Sequence, residues 1–328
     1  MRPISAAALL VTAAAAYGAW IPQQSGSTAS LRGISTVTRR VAWASGTKGT
    51  VLRTVDGGEH WKLVPVPYTD SLDFRDVEAV DAKAAWLLSS GPGEKSRVYR
   101  TQDAGAHWQL QLTNPDAAGF FDALALFNKS AGVLLGDPVN GRFVIYTSAD
   151  GLTWQRRTGP AALPGEGAFA ASGTCLVAHA NGEAWFGTGA ARVFHSTDFG
   201  VTWTASQTPL GHEGKAAGVF SLAFRDKLHG IAAGGDYTKP GEKTGNLAVS
   251  SDGGRTWREP ASRPAGYRSA VAYRSRTEVI ATGTSGSDIS HDGGANWQPL
   301  DATGYNAMSF RGNTGWAVGP EGRMGRWR

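Results

Sequence analysis

A short turn motif occurs six times along the chain, and its spacing limits the folds that the chain can adopt. Each copy has Ser or Thr, then an Asp two positions later, a Gly, and a Trp. The aspartates are Asp56, Asp103, Asp150, Asp198, Asp252 and Asp292, and the tryptophans are Trp61, Trp108, Trp154, Trp203, Trp257 and Trp297. Successive tryptophans lie 47, 46, 49, 54 and 40 residues apart, which is typical of one four-stranded blade of a β-propeller.

The residue types in this motif predict a structural role. Asp can accept hydrogen bonds from backbone N–H groups of its own turn, Gly can adopt positive φ, and the hydroxyl residue can end the incoming strand. Trp can bury a large area between layers. The motif lacks the alternating acidic loop with a distal Glu that calcium loops use, so we expect no metal at these turns.

The segments between the motifs predict three strands before each turn and one after it. In the first blade these are Leu31–Val37, Val41–Gly46 and Thr50–Thr54, and the fourth strand begins at Trp61. Short apolar or alternating runs separated by Gly, Asp, Asn and Lys are typical of strands. The motif is identified as the Asp-box, or BNR repeat, and the sequence therefore predicts an all-β chain.

The two ends of the chain predict how the ring closes. After the sixth motif only three strands remain, and they end at Trp327. Trp20 lies 41 residues before Trp61 and can begin the missing strand. We therefore expect a seven-bladed β-propeller whose last blade is closed by N- and C-terminal strands, which removes exposed sheet edges. Six blades with irregular ends is the alternative.

The first residues predict export. Arg2 precedes the apolar run Ala6–Ala16, which is too short for a membrane-spanning helix of about 20 residues. A basic start, a short apolar run and small residues near its end are typical of a secretory signal peptide. We expect a signal peptide over residues 1–18, cleaved after Gly18 or alternatively after Ala16, and a single propeller over residues 19–328 in the periplasm or outside the cell. No later segment is apolar enough to span a membrane.

Composition excludes several classes of function. The only cysteine, Cys175, excludes an internal disulfide and a Cys-based zinc site, and we expect it to be a small core residue. A net charge of +5 without a Lys/Arg block does not indicate a nucleic-acid arm. Gly91–Ser96 has the wrong spacing for a phosphate loop, and Gly187–Arg192 fails the dinucleotide pattern. We predict no catalytic residue, cofactor or metal, and a monomer.

Blade-specific residues also resemble a known family. They are Trp43–Gly46, Leu52–Gly58, Phe74-Arg75-Asp76 and Gly315–Gly322. This formula resembles the photosystem II assembly-factor family, known as Ycf48-like or HCF136-like, and the resemblance covers essentially the whole mature chain. It implies a seven-bladed propeller that binds a protein or peptide partner without catalysis. Sialidases share only the Asp-boxes with this chain.

The expected topology places one candidate binding face opposite the box turns. The links between blades and the second-to-third loops share that face, and binding residues are often carried by loops on a rigid scaffold. The candidates are Arg32, Arg75 and Arg268 at equivalent blade positions, with Asp76, Asp122, Ser221 and Asn306 nearby and His212, Lys215 and Asp236 in loops.

Repeated arginines can hold a carboxylate or an acidic peptide. Alternatively, each arginine pairs with an Asp of a neighbouring blade and locks the ring. Two other functions remain open. One is a glycan-active enzyme or lectin of the sialidase-like type, and the other is a cofactor-dependent oxidoreductase.

Overall fold

The computed structural model describes residues 20–328, which form a seven-bladed β-propeller. The chain begins with strand β1 (Trp20–Gln23). The first blade contains β2 (Leu31–Thr36), β3 (Ala42–Gly46), β4 (Val51–Thr54) and β5 (Lys62–Leu63). The second contains β6 (Phe74–Ala79), β7 (Ala85–Ser89), β8 (Arg97–Thr101) and β9 (Gln109–Thr113), with a 3₁₀ turn at Gly93–Lys95. The third contains β10 (Phe121–Leu126), β11 (Gly132–Val139), β12 (Arg142–Ser148) and β13 (Gln155–Arg157).

The remaining blades follow the same antiparallel order. The fourth contains β14 (Leu176–Ala178), β15 (Ala184–Gly187), β16 (Arg192–Ser196) and β17 (Thr204–Gln207), and the fifth contains β18 (Ala217–Phe224), β19 (Gly230–Asp236) and β20 (Leu247–Ser250). The sixth contains β21 (Ala270–Tyr273), β22 (Val279–Gly283), β23 (Gly286–Ser290) and β24 (Gln298–Asp301). The seventh contains β25 (Ala307–Arg311), β26 (Thr314–Val318), β27 (Met324–Trp327) and β1, with a 3₁₀ turn at Pro320–Gly322.

The N-terminal strand closes the ring. β1 pairs antiparallel with β27 from Trp20 opposite Trp327 to Gln23 opposite Met324. Gln23 also accepts hydrogen bonds from the Nε1 groups of Trp61 and Trp316 in the two blades that meet there. The predicted seven blades and their closure by both termini are confirmed, and the six-blade alternative is wrong.

The fifth blade departs from the predicted four strands. After Trp257 only an isolated bridge between Val249 and Arg258 replaces the outer strand. Pro260 follows two residues after Arg258 and has no N–H to donate to a ladder. The outer edge of this blade is therefore shorter than in the other blades.

The six box turns share one hydrogen-bond pattern. In the first, Thr54 donates its hydroxyl to Asp56 Oδ1 at 2.8 Å, the Gly58 N–H donates to Thr54 Oγ1 at 2.9 Å, and the His60 N–H donates to Asp56 Oδ1 at 3.0 Å. The other five turns repeat these three bonds. The hydroxyl residue is also the last residue of each third strand.

Tryptophans pack between neighbouring blades. Trp43, Trp86, Trp185 and Trp316 lie in second strands and are completely buried. Trp108 meets Trp43 of the preceding blade edge to face at 6.3 Å, and Trp61 meets Trp316 in the same way at 6.1 Å. The box tryptophan of one blade thus covers the core of the blade before it.

Two sequence predictions concern the rest of the scaffold. Cys175 is buried in the core shared by the third and fourth blades, as expected. The expected signal peptide over residues 1–18 lies outside the described residues and stays a prediction. Within residues 20–328, no helix has the length and apolar character needed to cross a bilayer.

Candidate functional site

A cavity of about 520 Å³ opens on the face opposite the box turns. Its wall includes residues of the first strands, or of the segments leading into them, from all seven blades. Because the first strands surround the propeller axis, the cavity lies at one mouth of the central channel. A pocket of this size is within the range that holds small ligands and peptide side chains.

In six of the seven blades, one equivalent position in or just before the first strand supplies a side chain to this cavity, and five of these six side chains are polar. Arg32, Arg75, Asp122 and Phe220 each lie where the pairing with the second strand shifts by one residue. Such a β-bulge redirects a side chain away from the regular sheet. Ser269 and Asn306 precede the first paired residues of β21 and β25. We call Arg32, Arg75, Asp122, Phe220, Ser269 and Asn306 the mouth ring, and all six line the cavity.

The fourth blade contributes differently. Its first strand begins only at Leu176, and the preceding loop supplies Ala168, Phe169, Ala170 and Ala171 to the cavity wall. This loop fills the side of the cavity between the third and fifth blades. The long connection between β13 and β14 therefore belongs to the site.

The structure corrects the predicted position of Arg268. A Cβ on Gly46 would lie 3.0 Å from Leu31 Cα, and a Cβ on Gly283 would lie 3.1 Å from Arg268 Cα. Arg268 therefore corresponds to Leu31, and Ser269 corresponds to Arg32. Arg268 is buried against Asp288, with Nε 2.6 Å from Oδ2, and is not among the residues that line the cavity.

Ser221 is displaced by one residue in the opposite direction, because Phe220 lies at the bulge that corresponds to Arg32. The Ser221 hydroxyl is buried, bonds to Thr174 Oγ1 at 2.7 Å and accepts the Val271 N–H at 2.9 Å, so it links three successive blades. Phe220 reaches the cavity instead. The residue that begins this segment is buried and apolar in most blades, and the next residue points into the mouth. In sequence, the pair Tyr267-Arg268 resembles Phe74-Arg75. This resemblance explains why Arg268 was predicted at the position equivalent to Arg75.

Arg32 is the less engaged of the two ring arginines. Its guanidinium makes no ion pair within 4.0 Å in the described part of the chain, and its Nε has no hydrogen-bond partner. Burial, followed by the like charge of Arg75, lowers the pKa of Arg32. Two guanidinium groups therefore share one wall of the cavity.

Arg75 is held in place by its own surroundings. Its Nε donates to Asp73 Oδ2 at 2.8 Å, and its Nη1 donates to the Ala170 carbonyl at 3.2 Å. The first contact stays within the second blade, and the second reaches the loop of the fourth blade. The alternative prediction, that rim arginines pair with an Asp of a neighbouring blade, does not describe Arg75 or Arg268, because their acidic partners lie in their own blades.

Acidic groups lie beside the arginines. Asp122 is 1% exposed, and neither of its carboxylate oxygens has a hydrogen-bond partner among residues 20–328. Burial raises the pKa of Asp122 well above its usual range, the charge of Asp137 raises it further, and Arg75 opposes the shift. Asp137 also lines the cavity, and its Oδ1 accepts the Ala168 N–H at 2.9 Å.

A cluster of aromatic rings forms part of the cavity wall. Phe169 stacks on Phe220 with centroids 3.7 Å apart and planes 12° apart. Tyr267 meets Phe220 edge to face at 4.9 Å, and Tyr237 meets it at 6.1 Å. All four rings line the cavity. The site thus combines cationic, acidic and aromatic surfaces.

The loop candidates are divided between two places. Lys215 is exposed and lines both this cavity and an adjoining depression of about 700 Å³, which also includes His212. Asp236 lines neither of them; it accepts hydrogen bonds from the N–H and hydroxyl of Thr238 and shapes the turn after β19. Lys215 therefore joins the ring residues at the cavity, whereas Asp236 supports a loop.

One group on the box face has atoms that could surround a metal ion. Atoms of Asp56, Glu59 and His60 lie within 4.8 Å of one another. However, His60 Nδ1 already bonds to Asp56 Oδ2 at 2.8 Å, and Thr202 makes the corresponding bond to Asp198 in the fourth blade. This arrangement is therefore a version of the box turn.

Comparisons with known proteins match the fold. No family model and no curated protein matches the sequence. A solved structure described as YCF48 bound to D1 peptide is 18% identical, with 96% of this chain and 98% of that chain covered and a TM-score of 0.68. YCF48 from Cyanidioschyzon merolae is 17% identical, with 94% and 99% covered and a TM-score of 0.66. The Neurospora crassa Pan2 WD40 domain is 14% identical, with 91% and 89% covered and a TM-score of 0.62. The chain therefore has a Ycf48-like propeller fold.

Proposed function

We propose that this protein is an exported, non-catalytic propeller that binds an acidic segment of a protein or peptide in the mouth cavity. The observation that carries the proposal is the guanidinium of Arg32, which makes no ion pair with any residue from 20 to 328 and lies with Arg75 in a concave site. A carboxylate between two arginines relieves their repulsion and accepts charge-assisted hydrogen bonds. Arginine suits this role because its planar donors match a carboxylate.

The aromatic side of the cavity supports a peptide as the source of that carboxylate. Phe169 and Tyr237 present ring surface beside the polar ring residues, and Phe220 lies buried against both rings. Apolar side chains of a peptide can cover such rings while its acidic group reaches the arginines. A small inorganic anion would leave the aromatic surface uncovered.

A similar structure is consistent with this proposal. The YCF48 structure described above is bound to a D1 peptide. At 18% identity, the feature that the two proteins share is the propeller fold. The partner of the present chain must therefore be inferred from the side chains of this chain. The cavity residues of this chain are therefore the basis of the proposal.

Burial of the acidic groups favours binding over glycan hydrolysis. Glycosidases use two carboxyl groups and admit a water molecule to the sugar. The Asp122 oxygens are closed off from solvent, and Asp137 is held by the Ala168 N–H. This arrangement suits recognition of a ligand better than activation of water.

The test compares two arginine pairs on opposite faces. Arg32→Gln/Arg75→Gln removes two charges from the cavity, and Arg39→Gln/Arg40→Gln removes two exposed charges from the turn between β2 and β3 on the box face. Calorimetry with peptides that end in a free carboxylate or an amide measures the effect. We expect the cavity variant to lose roughly tenfold or more in affinity for the free acid, because each charged hydrogen bond contributes about 1.5–3 kcal/mol.

The control variant and the amidated peptides show whether a loss of affinity is specific to the cavity arginines and to the peptide carboxylate. Arg39→Gln/Arg40→Gln should bind like the wild type, apart from a small effect of salt-screened charge. Equal binding by both variants would contradict the proposal. Turnover of aryl glycosides by the purified protein would favour the glycan-active alternative.

A further inference from the structure

The depression of about 700 Å³ continues the mouth cavity across the same face of the propeller. Asp137, Ala168, Phe169 and Lys215 line both, so the two form one concave surface. We call these four residues the boundary. A single acidic group held by the ring arginines would occupy the cavity alone and leave the depression uncovered. The shape therefore suits a longer ligand that crosses the boundary.

The depression lies over the fourth blade and is lined by small residues. The loop between β15 and β16 contributes Gly189 and Ala190, and the loop before β14 contributes Gly165, Gly167 and Ala168. Residues with a small side chain or none let the main chain of a ligand come close to the main chain of the protein. An extended peptide fits such a surface better than a folded domain does.

Buried contacts hold the depression in shape. The side chain of Glu166 is completely buried and accepts hydrogen bonds from Arg192 Nε at 2.9 Å and from the Leu163 N–H at 2.8 Å. The Gly189 N–H donates to the Gly167 carbonyl at 2.8 Å and joins the two lining loops. The depression is therefore formed before a ligand arrives, which reduces the entropy lost on binding.

The charge at the boundary favours an anion. Lys215 is exposed and has no acidic partner among residues 20–328, and it lines the same cavity as Arg32 and Arg75. Asp137 is the acidic residue of the boundary, and its Oδ1 accepts the Ala168 N–H at 2.9 Å. Burial raises the pKa of Asp137, so it opposes an incoming anion less than an exposed aspartate would.

We infer that the partner is an extended peptide that continues from the mouth cavity into the depression and carries a second acidic side chain, which pairs with Lys215 at the boundary. This inference rests on the proposed function and specifies the length and the charge pattern of its peptide. Arg32 and Arg75 hold the first carboxylate, and the ammonium group of Lys215 supplies donors and positive charge for the second.

The experiment measures, by calorimetry, the binding of peptides of increasing length to the purified protein. A short acidic peptide with a free terminal carboxylate is lengthened one residue at a time, and each added residue is either glutamate or glutamine. Lys215→Gln is compared with Lys95→Gln, which removes an exposed lysine from the 3₁₀ turn between β7 and β8. Lys95 lines neither the cavity nor the depression and has no acidic partner in the described chain. Ala190→Phe places a large side chain in the depression.

We expect the wild type and Lys95→Gln to bind glutamate about two- to fivefold more tightly than glutamine at one added position, the range of a partly exposed ion pair. Lys215→Gln should bind both peptides equally. The wild type should also bind the longer peptides roughly tenfold or more tightly than the short one, and Ala190→Phe should lose this gain.

Three results would overturn the inference while the short peptide still binds and the proposed function stands. They are equal binding of glutamate and glutamine peptides by the wild type at every position, a glutamate preference that persists in Lys215→Gln, and a gain with length that persists in Ala190→Phe. Failure of every peptide to bind the wild type would overturn the proposed function as well.

Discussion

The box turns and the mouth ring are both repeated features of this propeller, but they vary in opposite ways. The six box turns keep the same three hydrogen bonds, from Thr54 and Asp56 in the first to Ser290 and Asp292 in the sixth. The mouth ring keeps one backbone position and changes its side chain from Arg to Asp, Phe, Ser and Asn. Repetition builds the scaffold, and variation at a fixed position builds a site.

The electrostatics of the two regions also differ. Hydrogen bonds from the N–H and ring of His107 lower the pKa of the exposed Asp103 to about 2. Burial raises the pKa of Asp76, which lies next to Arg75 in β6, to about 7. Carboxylates of the box turns are therefore stabilised as anions, whereas those along the channel are stabilised as neutral acids.

Among the substitutions that test this comparison, Arg268→Ala is expected to lower the free energy of unfolding most. It leaves the buried Asp288 without its cation, which typically costs about 3–5 kcal/mol of stability. Arg32→Ala, in contrast, should change stability little, because Arg32 has no ion pair in the described residues. Urea unfolding of both variants measures the difference. Similar losses in both would mean that the two arginines do not have the separate roles assigned to them.

A smaller effect is expected for Asp76→Asn. Because the folded-state pKa of about 7 exceeds the unfolded value near 4, the acid stabilises the fold below pH about 4, and this stability is lost as pH rises through about 7. The slope is at most ~1.4 kcal/mol per pH unit. Asparagine removes this dependence and can still accept the Leu124 N–H that Asp76 Oδ2 accepts at 2.8 Å.

Chemical unfolding at pH 4, 5.5 and 7 checks this expectation. The free energy of unfolding should fall more steeply for the wild type than for Asp76→Asn over this range. Parallel curves for the two proteins would show that Asp76 ionises at the same pH in the folded and unfolded states.

The smallest effect is expected for Asp103→Asn in a box turn. The folded-state pKa of Asp103 lies below its unfolded value, so its contribution is present above pH about 4 and lost as pH falls through about 2. Asparagine keeps an acceptor oxygen for the Thr101 hydroxyl and the His107 N–H but removes the charge. The melting temperature of the variant should fall less between pH 5 and pH 2 than that of the wild type. Identical decreases would contradict a special role for the anion.

Much of the fold is predictable because its rules are local. Ser or Thr, Asp and Gly form the box turn with their own side chains and backbone, so the motif identifies the turn wherever it occurs. Its spacing, together with the strands left over at the two ends of the chain, then gives the number of blades. The short outer edge of the fifth blade was missed because the motif marks where a fourth strand begins and says little about how far it extends.

The candidate site was less predictable because it depends on register. A shift of one residue moves a side chain from the cavity to the core, and it separates Arg268 from Ser269 and Ser221 from Phe220. The loop of the fourth blade and its Phe169 were also missed, since no repeat predicts where an irregular segment folds back. Arg32, Arg75, Asp122 and Asn306 line the cavity at positions that follow from the blade order, and the loop residue Lys215 lines it too. Their part in binding a partner stays a prediction.

The sequence by itself determined the all-β architecture, the seven blades and the closure by both termini, because hydrogen bonds within turns and a regular spacing specify them. Only the tertiary structure decided which side chains meet at the mouth. Bulges in separate blades direct Arg32, Arg75, Asp122 and Phe220 toward one axis, and these residues are distant along the chain. Burial at that axis, rather than residue type, raises the pKa of Asp122 well above its usual range.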